Sequence, residues 1–411
     1  MSVPKWDLLL KDYDPTLHAI VQDTTTRKDK IKSDGSVEKA SRISIGLEKL
    51  LTRRITEFTF AIPVRRVYHN SDDNDTRKQI AKAIESIYKY ARVNSENIKR
   101  GNAYFASCEV FTIWYTVDNP NTLYGFPCQY KLKCRSYSPM GGERLYPLID
   151  ETGDMLAMSF EYKKQVADEK VTIFETYTAN THYQWQQQGT GWEQTKAEPI
   201  SILKIPAVYI SRPAPIWHGL SYLRNEIEYT LSRNSDVIAY NSAPILKVSG
   251  AIQGREDKGE SRRVYRVESG GDVAYVSWSQ AIEALKYHVS TLIGLFWSQS
   301  QMPDISFENM KSIGNIGFDA RQTLLTDAHL KVGDESGAWI EFFERECSVI
   351  KAFLKKMNSS WASEVDNVEV EHIITPFIQL DEDATTDRLI KQNGGKAIKS
   401  RVADHPRGWS Q

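Results

Sequence analysis

GLSYLRNEIEYTLSRNSDVIAYNSAP, Gly219 to Pro244, is the stretch on which the fold turns. Leu220, Leu223, Ile227, Leu231, Asn234 and Ile238 recur every three or four residues, which places them on one face of a helix. Pro244 lacks the N–H that a continuing helix needs and sets a stop. At ~1.5 Å per residue, roughly two dozen residues span ~36 Å. The stripe is too narrow for a helix buried on all sides.

A second helix of similar length follows. Ser277-x-x-Gln280 offers a capping box, and Ile282, Leu285, Val289, Leu292 and Phe296 form one stripe that stops before Met302-Pro303. Between the two helices, ILKVSG, RVYRV and AYVSW are short β-like runs around the charged loop GREDKGESRR. Arg255, Lys258, Arg262, Arg263 and Arg266 gather there, with Glu256, Asp257 and Glu260 interleaved. Such mixed charge suits either a plain solvated surface or an exposed docking rim. The helix pair has two readings as well. It packs on a single-chain core, or it packs sideways against identical pairs in neighbouring subunits to make a ring wall.

Outward from this pair the chain reads as α+β. The first forty-odd residues are polar, and TTTRKDKIKSDGS reads as a flexible arm or loop. IGLEKLLTRRITEFTF reads as a short helix running into a strand. TRKQIAKAIESIYKYARV reads as an amphipathic helix with Ile80, Ile84, Ile87 and Tyr88 inward. From Ala103 to about Ile210 the pattern is β: AYFASCEVFTIWYTV, YKLKCRSY, MLAMSFEYKK, VTIFETYT, HYQWQQ and AVYI. The proline cluster SRPAPIW, Ser211 to Trp217, marks a boundary.

Beyond the second helix, PDISFENMKSIGNIGFDARQ (Pro303 to Gln322) has no repeating face and reads as a Gly-punctuated loop. Asp319 can cap DARQTLLTDAHL, and VGDESG is expected to interrupt or bend its continuation. A third stripe runs through Trp339, Phe342, Phe343, Val349, Ile350, Phe353 and Met357. VEVEHIITPFI reads as a returning strand. The close, from Asp381, reads as a short helix, a Gly-Gly turn, another short helix and a tail.

Bulk properties narrow the function. With 411 residues, 41% hydrophobic and 26% charged, the composition is that of a soluble globular protein with two or three domains. The formal net charge of −1 advertises no nucleic-acid partner, so any DNA contact is local or arises from assembly. The four cysteines lack zinc spacing. Cys128 and Cys134 on one strand would share a face ~20 Å apart, too far for a clamp, so all four read as reduced thiols. MSVPKWDLLLKDYDP has no signal pattern, and Val289 to Ser298 is too short to span a bilayer; the reading is a cytosolic protein without membrane contact.

Enzymatic motifs are missing. Gly394-Gly395-Lys396-Ala397 lacks both the upstream glycine of a phosphate loop, where Ile390 stands, and the following Ser or Thr. Gly314-x-x-Gly317 follows no strand, no HExxH or GxSxG occurs, and Asp381-Glu382-Asp383 reads as decoration ahead of a helix. No metal, cofactor or catalytic residue is expected. A monomeric α+β enzyme would have to assemble its site from scattered pairs such as His218 with Asp236, or His288 with Glu283.

The order of parts resembles a known family, the portal proteins of tailed bacteriophages, in particular the siphophage branch. KRGNAYF is similar to that family's lead-in to its β region, and SYSPMGGERLYPLIDETGDMLAMSFEYK to a strand pair. KIPAVYISRPAP into GLSYLRNEIEYTLSRNSDVIAYNSAPILKVSG resembles its approach to the first stem helix. MPDISFENMKSIGNIGFDARQ resembles its tunnel loop, and GGKAIKSRVADHP its closing pattern.

The resemblance implies a portal-like α+β fold with an α/β wing, two antiparallel stem helices, a small β-containing clip, a tunnel loop and a long wing helix. Residues 1–44 would be a polar N-terminal arm, 45–216 the wing, 217–241 and 279–298 the stem helices and 242–278 the clip. Residues 299–317 would be the tunnel loop, 318–378 the long wing helix and returning strand, and 379–411 a short crown-like region. By the same resemblance, Asn309, Lys311, Ser312, Gly314, Asn315 and Gly317 would face double-stranded DNA in an axial channel, and the five basic insert residues would serve docking. Implied partners are further copies in a dodecameric ring, DNA held without sequence preference, the terminase large subunit, a head–tail adaptor, the major capsid protein and a scaffolding protein. The implied site is a capsid vertex of the virion, assembled in the host cytoplasm. The rival within the same class is another head or tail structural protein.

Overall fold

The computed structural model describes residues 3–31, 33–166, 169–241, 245–249, 252–258, 262–267, 272–276, 282–304, 323 and 325–377. The fold is α+β and divides into two compact units. One comprises Met1–Tyr13, Glu48–His218 and Ser300–Gln411, the other Asp14–Leu47 and Gly219–Gln299. The helices are α1 (Trp6–Tyr13), α2 (Ala19–Gln22), α3 (Leu47–Phe60), α4 (Asp75–Tyr90), α5 (Val93–Ser107), α6 (Ser221–Asn241), α7 (Ile282–Ser300) and α8 (Thr326–Met357). The strands begin with β1 (Lys30–Ile31), β2 (Val37–Glu38), β3 (Arg65–His69), β4 (Glu109–Asn121) and β5 (Cys128–Tyr137). They continue with β6 (Arg144–Ile149), β7 (Met155–Val166), β8 (Glu169–Tyr177), β9 (Thr181–Gln188), β10 (Gly191–Pro199) and β11 (Ala207–Ser211). The last are β12 (Ile245–Ser249), β13 (Ile252–Lys258), β14 (Arg262–Val267), β15 (Asp272–Val276) and β16 (Glu369–Ile373).

In the first unit, α4 starts where Asn74 accepts the Arg77 N–H at 2.8 Å, an N-cap that satisfies one orphan donor. Its expected stripe is the buried one: Ile80, Ile84, Ile87 and Tyr88 are all inside. Two expectations need correcting. EFTF is not a strand, because α3 runs on to Phe60, and AYFAS is not one either, because α5 continues to Ser107. Local β propensity loses here to helix packing. Thr56 and Thr59 donate their hydroxyls to the carbonyls of Thr52 and Ile55, one turn back, while Phe58, Phe60, Tyr104 and Phe105 are buried.

Gly101 in the KRGNAYF stretch has a steric reason to be glycine. A Cβ there would lie 2.9 Å from both Phe60 Cδ2 and Thr56 Cγ2, closer than carbon atoms approach, so α3 and α5 meet at this point because no side chain intervenes. Gly101→Val is expected to cost about 1–3 kcal/mol by overpacking, read from the midpoint of urea unfolding. An unchanged midpoint would show that the two helices part freely.

VGDESG does not break α8, which is continuous for 32 residues. Its two glycines each cost about 1 kcal/mol relative to alanine, but the turn is anchored. Ser336 Oγ donates to the Gly333 carbonyl, and Glu335 pairs with Arg212 at 3.1 Å and with Lys331 at 3.9 Å. Beyond it, Trp339, Phe342, Phe343, Val349, Ile350 and Phe353 are buried as the third stripe requires.

An antiparallel five-stranded sheet, β10-β9-β8-β7-β6, faces a three-stranded one, β11-β4-β5. Phe111 and Ile113 of β4 and Ala207 of β11 pack with Leu145 of β6 and Met158 and Phe160 of β7. The Phe111 and Phe160 rings lie 4.8 Å apart. The strand expected at VEVEHIITPFI is β16, paired antiparallel with β3. Glu175 on β8 is a charge set inside the larger sheet. Burial works to raise its carboxyl, but hydrogen bonds from His182, Tyr162, Tyr177 and Gln184 overcome this and pull it down to about 2.

Candidate functional site

The second unit holds α6, the four strands of the insert and the part of α7 up to Gln299, together with the N-terminal segment from Asp14. Of the α6 stripe, Leu223 and Ile227 are buried and Leu231 is half-buried, whereas Ile238 is 60% exposed, so the apolar face fades toward the helix end. On α7, Leu285, Val289 and Leu292 are half-buried and Phe296 is fully buried, as its stripe expects. Tyr222 near the start of α6 donates to Gln299 near the end of α7 at 3.3 Å.

A second face of α6 is buried and polar. Arg224, Glu228 and Ser232 are at most 1% exposed, and Asp236 continues their four-residue spacing. The end of the polar N-terminal segment, just beyond the stretch expected to be flexible, covers them. Ile45 N–H donates to Glu228 Oε1, Ile43 N–H to Ser232 Oγ and Ser41 N–H to Asp236 Oδ1, each at 2.8 Å. The match is one of pitch. Two residues of extended chain advance ~6.7 Å and four of helix ~6 Å, so alternate amides of the segment meet successive turns of the helix.

The same carboxylates gather basic side chains. His18 Nδ1 lies 2.5 Å from Glu228 Oε1 with both side chains fully buried, and Arg224 is 3.8 Å from Glu228 Oε2. Arg27 pairs with Asp236 and also donates to the Ser232 carbonyl at 3.3 Å. Burial disfavours the charged form of Asp236, but the bonds from Ser41 and the nearby Arg27 outweigh it and hold its carboxyl below the usual range. Periodicity reasoning misses these residues. The only signal was polar side chains spaced by four beside an apolar stripe.

The insert is a nested pair of hairpins. β12 pairs with β15, and inside them β13 pairs with β14. GREDK, expected in a loop, is therefore strand: its bulged register sets Gly254 opposite Arg266, Arg255 opposite Tyr265, Asp257 opposite Arg263 and Lys258 opposite Arg262. Backbone pairing thus brings all five basic candidates, Arg255, Lys258, Arg262, Arg263 and Arg266, onto one hairpin. The capping box at Ser277-x-x-Gln280 lies outside the described residues.

The same holds for Asn309, Lys311, Ser312, Gly314, Asn315 and Gly317, for the Asp319 cap and for residues 378–411. What is described is the approach to that loop. In the first unit the buried Arg54 of α3 donates to the Pro303 carbonyl at 2.9 Å and lies 3.7 Å from the Asp304 carboxylate. Two members of the pairs that a monomeric enzyme would have to assemble have other partners. Asp236 is taken by Arg27 and Ser41, and His288 lies 4.0 Å from Glu226, both half-exposed. Among the described residues no cluster could hold a metal ion, no helix is long and apolar enough to cross a membrane, and all four cysteines are free.

Residues 4–404 match the family described as phage portal protein, SPP1 Gp6-like, and the chain belongs to that family. The family is one of structural proteins of the phage virion, and membership implies a ring oligomer within the particle. Among solved structures, a chain from the neck of an empty GTA particle, computed with C6 symmetry, is similar at 11% identity and a TM-score of 0.39, covering 98% of this chain and 97% of that one. A chain from the virion of a native gene transfer agent particle is similar at 10% identity and a TM-score of 0.36, covering 97% and 92%. No curated protein sequence matches.

Proposed function

We propose that the chain forms the portal ring at one capsid vertex, a dodecamer whose axial channel passes double-stranded DNA during packaging and ejection. The observation that carries this reading is the family match across residues 4–404. In it, α6 and α7 are the stem helices, the nested hairpins the clip, α8 the long wing helix and residues 299–317 the tunnel loop. The hairpin bearing Arg255, Lys258, Arg262, Arg263 and Arg266 docks the terminase large subunit and later the head–tail adaptor. The wing meets the major capsid protein and scaffold. ATP hydrolysis belongs to the motor, not to this chain.

Lys311 brings one cation per subunit to the channel. An exposed charge pair at ~4 Å is worth ~1 kcal/mol in water, so a ring of single lysines steadies DNA without pinning it. Several per subunit would release many counterions and grip too tightly to slide. Purified protein is expected to give ring particles with an open centre in electron micrographs; only 46.9 kDa monomers under every condition would overturn the reading. Lys311→Glu is expected to impair packaging or retention of DNA while rings still form. Normal packaging by that variant removes Lys311 from the mechanism.

A further inference from the structure

Strand β11 lies at the edge of its sheet. Two bonds just beyond its ends disclose the phase of its ladder with β4. The Trp114 N–H donates to the Pro206 carbonyl at 2.7 Å, and the Arg212 N–H donates to the Cys108 carbonyl at 2.8 Å. Bonded and non-bonded pairs alternate along an antiparallel ladder. Val208 and Ile210, opposite Thr112 and Val110, therefore turn their peptide groups toward β4. Ala207, Tyr209 and Ser211 turn theirs the other way, and among the described residues no backbone group meets them.

The space they face is a groove of about 840 Å³ lined by all five residues of β11. One wall is apolar, formed by Ile149, Met155 and Leu156, with Ile149 46% and Leu156 54% exposed. The other wall is α8, where Ala338, Phe342 and Val349 sit among charged residues. Arg345 answers Glu341 at 2.7 Å, and Lys204 donates to Ser348 at 2.5 Å. Glu344 and Asp154 also line the groove and have no ion pair among the described residues, which leaves it net negative.

We propose that this groove takes an extended segment of another polypeptide, added to β11 as a further strand, in which apolar residues alternate with basic ones. An open strand edge offers main-chain bonds at every second residue, and its surroundings select the side chains. Successive side chains of the added strand face opposite walls. One set is apolar, against Ile149 and Leu156. The other is basic, along the α8 wall where Glu344 is the unmatched charge. At ~3.4 Å per residue, the five residues of β11 accommodate a strand ~17 Å long.

The experiment titrates the full chain with a synthetic heptapeptide alternating valine and lysine, followed by calorimetry. Binding is expected. N-methylation of alternate amides is expected to weaken it about tenfold in one phase and little in the other, because only one set of amides faces β11. Leu156→Lys, on the exposed wall, is expected to weaken it by a similar factor, and Glu344→Lys by less and in a salt-dependent way. No binding overturns the proposal. Equal binding of the valine–glutamate counterpart overturns the chemistry assigned to the partner, and indifference to the phase of N-methylation overturns strand addition. Binding by monomers but not by assembled rings would hand the groove to a second copy of this chain and overturn the assignment of its occupant.

Discussion

Replacing Glu346 with alanine is expected to cost about 3–5 kcal/mol of stability, the largest effect of any single change considered for this chain. Glu346 on α8 and Arg100 on α5 pair at 2.7 Å with neither side chain exposed, and Glu346 Oε1 also accepts the Trp114 indole N–H from β4 at 3.0 Å. One carboxylate thus ties two helices to a strand. Among the described residues, the alanine variant leaves the buried guanidinium with hydrogen bonds to Asn97 and Ser136 at 2.9 and 3.2 Å, the Phe342 ring beside it and Glu96 as a carboxylate that acts on it without a hydrogen bond. The cost is mainly that of stranding a buried charge rather than of losing one contact. Urea unfolding of wild type, Glu346→Ala and Glu346→Gln should place the glutamine variant between the other two. A loss under ~0.5 kcal/mol, the range of ordinary surface changes, would show that the pair does not hold these elements together.

Acidification is expected to destabilise the first unit from about pH 6.5 downward. His372 on β16 is 3% exposed; burial, with Arg66 and Lys351 nearby, pushes its imidazole down from 6.5 to about 4. The folded state therefore holds the ring neutral while the unfolded chain protonates it near pH 6.5. Stability from this group is complete above pH 6.5 and is lost as pH falls from there toward 4, by ~3 kcal/mol for a shift of this size. Glu175 acts in a lower window. With its carboxyl held to about 2, its contribution stays intact above ~4.3 and disappears only as pH falls toward 2. Unfolding free energies at pH 7.5, 5.5, 4.0 and 2.5 check both signs. His372→Gln should flatten the slope between the first two. A slope left unchanged would place the acid sensitivity on another group.

Much of the architecture is legible in the sequence. The stripe on α4 and, but for Met357, the one on α8 are buried as their spacing demands, the α7 stripe is half-buried until Phe296, and the runs from VFTIW to AVYI are strands. The errors fall where two local signals compete. EFTF and AYFAS carry β-prone side chains, yet helix packing around Gly101 decides their state. VGDESG carries two glycines, yet the anchors on Glu335 and Ser336 keep α8 unbroken. β10, with GWEQTKAEP, has too few apolar residues to stand out and exists because β9 offers it a partner.

The candidate site divides in the same way. The helix pair, its insert and the basic residues between them could be read from order and period alone, since each depends on neighbours within a few turns. The polar face of α6 could not. His18 and Glu228 stand 210 positions apart, and Ile45 and Glu228 183. Arg100 finds Glu346 only across 246 residues. Periodicity reports which side of an element is apolar, because that is a property of one helix or strand. Whether a charged side chain is solvated, paired or sealed inside depends on what the rest of the chain brings against it, and that is decided only when distant segments pack.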